Sequence, residues 1–268
     1  MEGLQTWVIN LDRATDRMTR ITQQLHDLRL PFTRLSAVDA RCFTPAQAAA
    51  IDEAAYRRKH GMTPLAGELG CYLSHVEVMR GFMAGNARFA LVLEDDALLQ
   101  PSLPAVLKGL LEHTARWDMV KLSAVHSGTP VGGIEVAPGH RLAVMLSRCT
   151  GSSAYLMNRR AAGRYLQGLL PMSLPYDHVF DQGWRFGLQV RLVTPTPCGH
   201  DQQIASTIVA PAGTSRKFHW TQRLGAHVYR LGNESRRLAY GLREVLRERG
   251  QPHGTPDATP DSTPDSTP

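Results

Sequence analysis

Residues 89–96 read FALVLEDD, an apolar run from Phe89 to Leu93 that stops on three consecutive carboxylates, Glu94, Asp95 and Asp96. The run has the length and composition of a strand buried on both faces, as in the middle of a parallel sheet. Three adjacent acids repel one another and are costly to desolvate unless solvent or a cation meets them. In open α/β sheets ligands bind at the carboxyl ends of strands. Acids at that edge suit a hard divalent ion that shares its coordination with phosphates. The competing reading is a solvated strand-to-helix turn, with Asp96 near a helix N-terminus.

Outward from this strand, the chain reads as alternating strands and helices. Thr6 to Leu11 is expected to be a strand, followed by a helix carrying Met18, Ile21, Leu25 and Leu28 on one face, then a second strand, Phe32 to Val38, closing on Asp39. This βαβ unit implies a parallel sheet. Thr44 to His60 reads as a polar, exposed helix. Gly67-Glu68-Leu69-Gly70 reads as a glycine-punctuated loop into a helix from Cys71 to Met83. After the acidic strand come a helix from Pro101 to His113, a strand from Trp117 to Ser123, and a Gly- and Pro-rich loop from Val125 to Gly139. Then follow a strand from Thr150 to Met157, a helix from Arg159 to Leu170, a short helix opening at Pro175, and a last strand from Leu188 to Val193.

A chain of 268 residues suits one large α/β domain or two small ones. Cys42, Cys71, Cys149 and Cys198 form no CxxC pair, which argues against a zinc site or disulfide framework and fits a reducing compartment. Met1 to Asn10 lacks a basic stretch followed by an apolar one, and no apolar run approaches the ~18 residues of a membrane helix. A cytoplasmic protein is expected, with a peripheral position on a membrane left open. The net charge of +6 is concentrated: residues 214–250 hold nine Lys or Arg against three Glu. There Leu224, Val228, Leu231, Leu238, Leu242, Val245 and Leu246 trace one face of a helix, or of a helix pair around Gly232. From Thr255 a Thr-Pro-Asp-Ala/Ser repeat runs to the end and cannot build a core. The expected division is 1–213 for the main domain, 214–250 for a basic amphipathic helical segment and 251–268 for a disordered tail.

The ordered stretches VINLDRATDR, RLSAVDA, GELGCYLSH, FALVLEDD, TGSSAYLMNRRAA and LPYDHVFD together resemble glycosyltransferase family 25, the bacterial lipooligosaccharide and lipopolysaccharide glycosyltransferases related to the collagen galactosyltransferases. The resemblance covers roughly Thr6 to Gln203. It implies an α/β, GT-A-like nucleotide-sugar-binding fold with a mostly parallel central sheet, to which the sequence adds C-terminal basic helices. It also implies a sugar-nucleotide donor, most often UDP-galactose, inversion at the anomeric carbon and a divalent cation, Mn²⁺ or Mg²⁺. Glu94, Asp95 and Asp96 occupy the position of a DxD-like motif with Glu in place of the first Asp. The resemblance implies Asp96 as main metal ligand and Glu94 as an assistant through water or ribose.

Asp177 matches the family's acidic position after its acceptor-side helix and is the candidate base or acceptor contact for the acceptor hydroxyl; the alternative is a helix N-cap. Glu68, Ser74 and His75 belong to the helix-entry motif, where free N–H groups can meet a diphosphate or sugar hydroxyls. Glu68 could also be a first-turn acid and His75 a satisfied core histidine. Gly151, Ser152 and Ser153 offer small polar groups beside the donor sugar, or a glycine bend in a strand. Asn10, Leu11 and Arg13 match the donor-base edge, with Asp39 at the next strand end. His200, after the last strand, is a candidate late metal ligand.

The expected partners are a UDP-sugar donor, a glycan or glycolipid acceptor, and an anionic membrane surface met through residues 217–249. For that segment the alternative is a docked helix with a solvated arginine face. Nucleic acid is not expected: the arginines lack interleaved aromatics and the body is near neutral. A metal-dependent phosphohydrolase using the same acids, and a glycan-binding protein without catalysis, stay as alternatives.

Overall fold

The computed structural model describes residues 1–200, 218–219 and 223–250. The expected 251–268 tail, and the parts of the expected domains and motifs at 201–217 and 220–222, lie outside the described residues.

Among the described residues, ten strands and nine α-helices follow in the order β1 Leu4–Asn10, α1 Thr15–Asp27, β2 Phe32–Ser36, α2 Pro45–Ala48, α3 Glu53–His60, α4 Ala66–Ala84, β3 Phe89–Glu94, β4 Ala97–Leu99, α5 Leu103–Glu112, β5 Met119–Lys121, β6 Pro130–Ala137, β7 His140–Met145, β8 Ala154–Asn158, α6 Arg159–Gly168, α7 Tyr176–Val179, α8 Gly183–Phe186, β9 Val190–Thr194, β10 Cys198–His200 and α9 Leu224–Gly250. Eight strands form one sheet in the order β2-β1-β3-β8-β5-β9-β7-β6. β8 and β7 run antiparallel to their neighbours, so the other six strands share one direction. The sheet is mixed in its pairings and mostly parallel in its strand directions. This is the α/β arrangement expected of a GT-A-like fold.

The apolar run of β3 is explained by burial on both faces. Ala90 and Val92 enter a core with α4, α6 and α7. Phe89, Leu91 and Leu93 enter a second core with α1 and α5. Alternate side chains of a strand point to opposite faces, so a strand covered on both must be apolar throughout.

Several expected boundaries move. The Gly67–Gly70 segment is not a loop but the first turns of α4. Gly70 is required there because a Cβ would lie 2.7 Å from the Val38 carbonyl, where α4 crosses the end of β2. The expected helix at Thr44 to His60 breaks into α2 and α3, each with its own cap, from Thr44 and Asp52. The strand expected from Thr150 begins only at Ala154. The region expected to be a loop, Val125 to Gly139, contains β6, which pairs with β7 in a hairpin. Irregular register between Val131 and Ile134 places Gly133 with a positive φ of 98°, its missing Cβ 2.2 Å from the Leu142 carbonyl. The glycines that suggested a loop serve a bulge.

α9 is one continuous helix rather than a pair around Gly232, and its faces are inverted relative to simple amphipathic packing. Buried against the body are Ala226, Arg237, Gly241 and Glu244, whereas Leu224, Val228, Leu231, Leu238, Leu242 and Leu246 are exposed. Arg237 forms a two-pronged ion pair with Asp181 (2.8 and 3.2 Å). Arg191 of β9 donates to Glu244 and Glu248. The Tyr240 hydroxyl donates to the Leu188 carbonyl and accepts from the Val190 N–H. Buried charges are tolerated only when paired, and here they are matched across the helix–body seam.

Candidate active site

Parallel strands place their carboxyl ends on one edge of the sheet. Register pairs Ile9 of β1 with Glu94 of β3, and Asn10 with Ser36 of β2. β8 enters antiparallel with Ala154 opposite Leu93, so the preceding Gly151, Ser152 and Ser153 reach the same edge. α4 and α7 bring their N-terminal turns to it. The result is a cavity of about 860 Å³ lined by Leu11, Arg13, Asp39, Glu68, Ser74, His75, Glu94, Asp95, Asp96, Gly151, Ser152, Ser153, Asp177 and His200, among others. Every expected site residue except Asn10 is on its wall.

Asn10 sits behind that wall, 2% exposed. Its Nδ2 donates to Asp95 Oδ2 at 2.7 Å and to the Ala14 carbonyl. Asp95 Oδ1 accepts from Arg17 at 3.1 Å. Both Asp95 oxygens are therefore engaged by the first βα unit. Arg17 also lines the cavity.

Asp96 is in a different situation. It lies in the turn between β3 and β4, and its Oδ1 is buried without a hydrogen-bond partner. Burial, then the neighbouring Glu94 charge, pushes its pKa up to about 6. β10 pairs antiparallel with β4, His200 opposite Ala97, which sets His200 Nδ1 3.5 Å from Asp96 Oδ2.

Glu94 ends β3. Its Oε1 accepts from Ser152 Oγ at 2.7 Å, and His75 Nε2 lies 3.4 Å away. Burial alone would raise its pKa, but the His75 and Ser152 contacts outweigh it and hold Glu94 below the ordinary carboxylate range. His75 is fully buried, stacked on Tyr176 with ring centroids 4.0 Å apart. Its Nδ1 is 3.0 Å from the Tyr155 hydroxyl, which accepts from Tyr176. With Tyr155 donating to Nδ1, the proton of a neutral imidazole sits on Nε2, toward Glu94. His75 is thus a core histidine satisfied at Nδ1, while its buried Nε2 makes no hydrogen bond and faces Glu94.

Asp177 lies in the first turn of α7, whose N-cap is Pro175, so it does not cap the helix. Its Oδ2 accepts from the Gly151 N–H at 3.2 Å. Gly151 has φ of 100° and approaches Val125 closely, which explains a glycine at this corner. Glu68 Oε2 accepts from the Tyr56 hydroxyl and from the Leu65 N–H, reaching back as the acid of a capping box does. Ser74 Oγ donates to the Gly70 carbonyl and accepts from the Val38 N–H, so its hydroxyl is occupied within the wall. Asp39 pairs with Arg13 and Arg41; chiefly through Arg41 its pKa falls to about 2.

Two overlapping groups could hold a cation. The expected set is Asp96, His200 and Glu94: Asp96 and His200 lie 3.5 Å apart and Asp96 Oδ1 is unpartnered, but among the described residues the three do not bring their ligand atoms all within 4.8 Å of one another. Cys71, His75 and Glu94 do present ligand atoms all within 4.8 Å of one another. Burial keeps the Cys71 thiol protonated, its pKa well above the usual range, which disfavours this group for a hard ion. Sequence reasoning missed Cys71 as a neighbour of the acids; its spacing of four from His75 on a helix was the available signal.

Residues 4–129 match the model of glycosyltransferase family 25 (LPS biosynthesis protein). Procollagen galactosyltransferase 2 of Homo sapiens is 27% identical over 124 residues, 43% of this chain and 20% of the relative. Procollagen galactosyltransferase 1-A of Xenopus laevis is 26% identical over 182 residues, 65% of this chain and 30% of the relative. The bovine "Probable inactive glycosyltransferase 25 family member 3" is 25% identical over 191 residues, 66% of this chain and 32% of the relative. The matches thus span less than a third of those relatives' length. Motif order, fold and family match converge on glycosyltransferase family 25 as the family this chain resembles.

Proposed function

We propose that the chain is an inverting, divalent-metal-dependent glycosyltransferase that moves a hexose, galactose from UDP-galactose as first choice, to a hydroxyl of a cell-surface glycan such as a lipopolysaccharide core. The observation that carries this reading is the buried, unpartnered Oδ1 of Asp96 in a cavity shared with Glu94, His200 and Asp177. Asp96 and His200, with Glu94, would hold Mn²⁺ or Mg²⁺. When bound, that ion neutralises charge developing on the departing nucleotide diphosphate.

The remaining chemistry belongs to the side chains. In direct displacement the acceptor oxygen bonds to the anomeric carbon as the bond to the diphosphate oxygen breaks and UDP leaves with the electron pair. The acceptor's hydroxyl proton passes to the Asp177 carboxylate, which the Gly151 N–H orients. Leu11, Arg13 and Asp39, at the ends of the first two strands, border the place for the nucleotide. Ser152 and Ser153, preceding β8, border the place for the sugar.

The location belonging to this reading is cytoplasmic, peripheral on an anionic membrane surface through residues 217–249. No helix among the described residues is long and apolar enough to cross a membrane.

The test is UDP release from a panel of UDP-, GDP- and CMP-sugars, with and without Mn²⁺ and a deacylated core-glycan acceptor. Acceptor- and metal-dependent release of UDP supports the reading. Free inorganic phosphate in place of UDP would favour a phosphohydrolase, and metal-linked nucleotide binding without turnover would leave a glycan-binding protein.

A further inference from the structure

α9 turns its apolar side away from the protein. Leu224, Val228, Leu231, Leu238, Leu242 and Leu246 recur at helical spacing along one stripe. Their exposures run from 46% at Leu238 to 73% at Val228 and Leu231. At 1.5 Å per residue the stripe extends for about 33 Å. Isolated exposed leucines need no explanation, but a contiguous row does.

Beside the stripe runs a groove of about 540 Å³ between α6, α8 and α9. Its walls carry Arg160, Arg236, Arg243 and Arg247, with Trp184 and Tyr240. Arg236, Arg243 and Arg247 are exposed, and no ion pair or hydrogen bond among the described residues engages them. The acid in the groove, Glu244, is committed to Arg191 at 2.8 Å. A cationic groove therefore flanks an apolar stripe on the same helix.

This pairing chooses among occupants. An antiparallel pairing of two copies through the stripe would set both arginine rows on one side of the seam, where they repel. A nucleic acid has use for the groove and none for the leucines. A bilayer containing anionic lipids has use for both: acyl chains for the stripe and phosphates for the arginines. We infer that α9 is a membrane-docking helix that lies in the interface of an anionic bilayer, its leucine stripe in the acyl boundary and its arginine groove on lipid phosphates. The inference gives the membrane-surface part of the proposed function a defined face and is independent of the transfer chemistry. Arg237–Asp181 and Arg191–Glu244 supply the rigid mounting, because they anchor the opposite side of α9 to the body.

The test is co-sedimentation of the full chain with vesicles of phosphatidylcholine alone or mixed with phosphatidylglycerol. Two double variants, Leu231→Ser/Leu242→Ser and Arg243→Gln/Arg247→Gln, are compared with the unaltered chain. All four positions are exposed, so near-UV circular dichroism should be unchanged. Binding is expected only to the mixed vesicles. It should weaken roughly fivefold for each arginine removed, and less so at high salt. The leucine variant should weaken it roughly tenfold or more at any salt. Absence of binding to mixed vesicles, equal binding to neutral ones, or indifference to the leucine variant would each overturn the inference. So would a dimer in size-exclusion chromatography that the leucine variant dissociates, since the stripe would then belong to a second copy. UDP-sugar turnover on a soluble acceptor, measured in parallel, separates failure of docking from failure of the proposed reaction.

Discussion

His200 Nδ1 stands 3.5 Å from Asp96 Oδ2, although the two residues are more than a hundred positions apart in the chain. The contact exists because β10 returns antiparallel to β4, the short strand that leaves the acidic turn. It assembles a nitrogen and an oxygen donor around a carboxylate whose other oxygen has no hydrogen-bond partner. Replacing Asp96 by Asn should abolish the thermal stabilisation that UDP gains from Mn²⁺. Transfer should fall by more than the roughly 10–100-fold typical of losing a supporting partner of a metal ligand. His200→Ala should weaken Mn²⁺ dependence within that range, while Cys71→Ser leaves it unchanged. Loss of Mn²⁺ binding in the Cys71 variant instead would move the ion to Cys71, His75 and Glu94.

Asp177 is held by the Gly151 N–H and lines the same cavity as Leu11, Arg13 and Asp39. Asp177→Asn keeps the shape and removes the proposed base. Steady-state kinetics should show kcat reduced by about 10²–10⁴. The UDP-linked thermal shift should persist, because the donor would not need this carboxylate. A variant with unaltered kcat would remove Asp177 from the chemistry.

The hydroxyl of Tyr155 joins Tyr176 to His75, and through His75 to Glu94. Tyr155→Phe leaves two buried polar atoms without this partner. Denaturant unfolding should show a loss of about 1–3 kcal/mol. The same variant frees the His75 tautomer, so a rise in KM for the donor is expected with a smaller change in kcat.

Asp181 and Arg237 are 0% and 2% exposed in their side chains, and they clamp α9 to the body. Removing one partner strands a buried charge, so Asp181→Ala should cost about 3–5 kcal/mol in urea unfolding. Replacing both by apolar residues should cost clearly less, as the helix–body seam would no longer hold an unpaired ion. Equal losses in the two variants would mean that the pair contributes through packing rather than charge.

The motifs around FALVLEDD were legible because they are local. A strand buried on both faces must be continuously apolar, so β3 announced both its position and the edge on which its acids lie. Asp177 likewise follows Pro175, where the chain shows a short helix opening, whereas the strand after Gly151 through Ser153 begins four residues later than the chain suggests. The collection of these residues into one cavity follows from their common sheet edge. The β6–β7 hairpin was not legible, because Gly132 and Gly133 signal a loop and serve a bulge equally well. His200 was only a candidate, because nothing near it in the sequence says which strand β10 will pair with.

α9 draws the line between the two kinds of information most clearly. Periodicity of 3.6 residues assigns Leu224 through Leu246 to one face, and that much the chain determines by itself. Which way the face turns depends on what the body offers opposite it. The body offers Asp181 and Arg191, both buried, and a buried charge without a partner costs more than the exposure of a few leucines. The helix therefore presents Arg237 and Glu244 inward and its leucines outward, an orientation that only the tertiary structure decides.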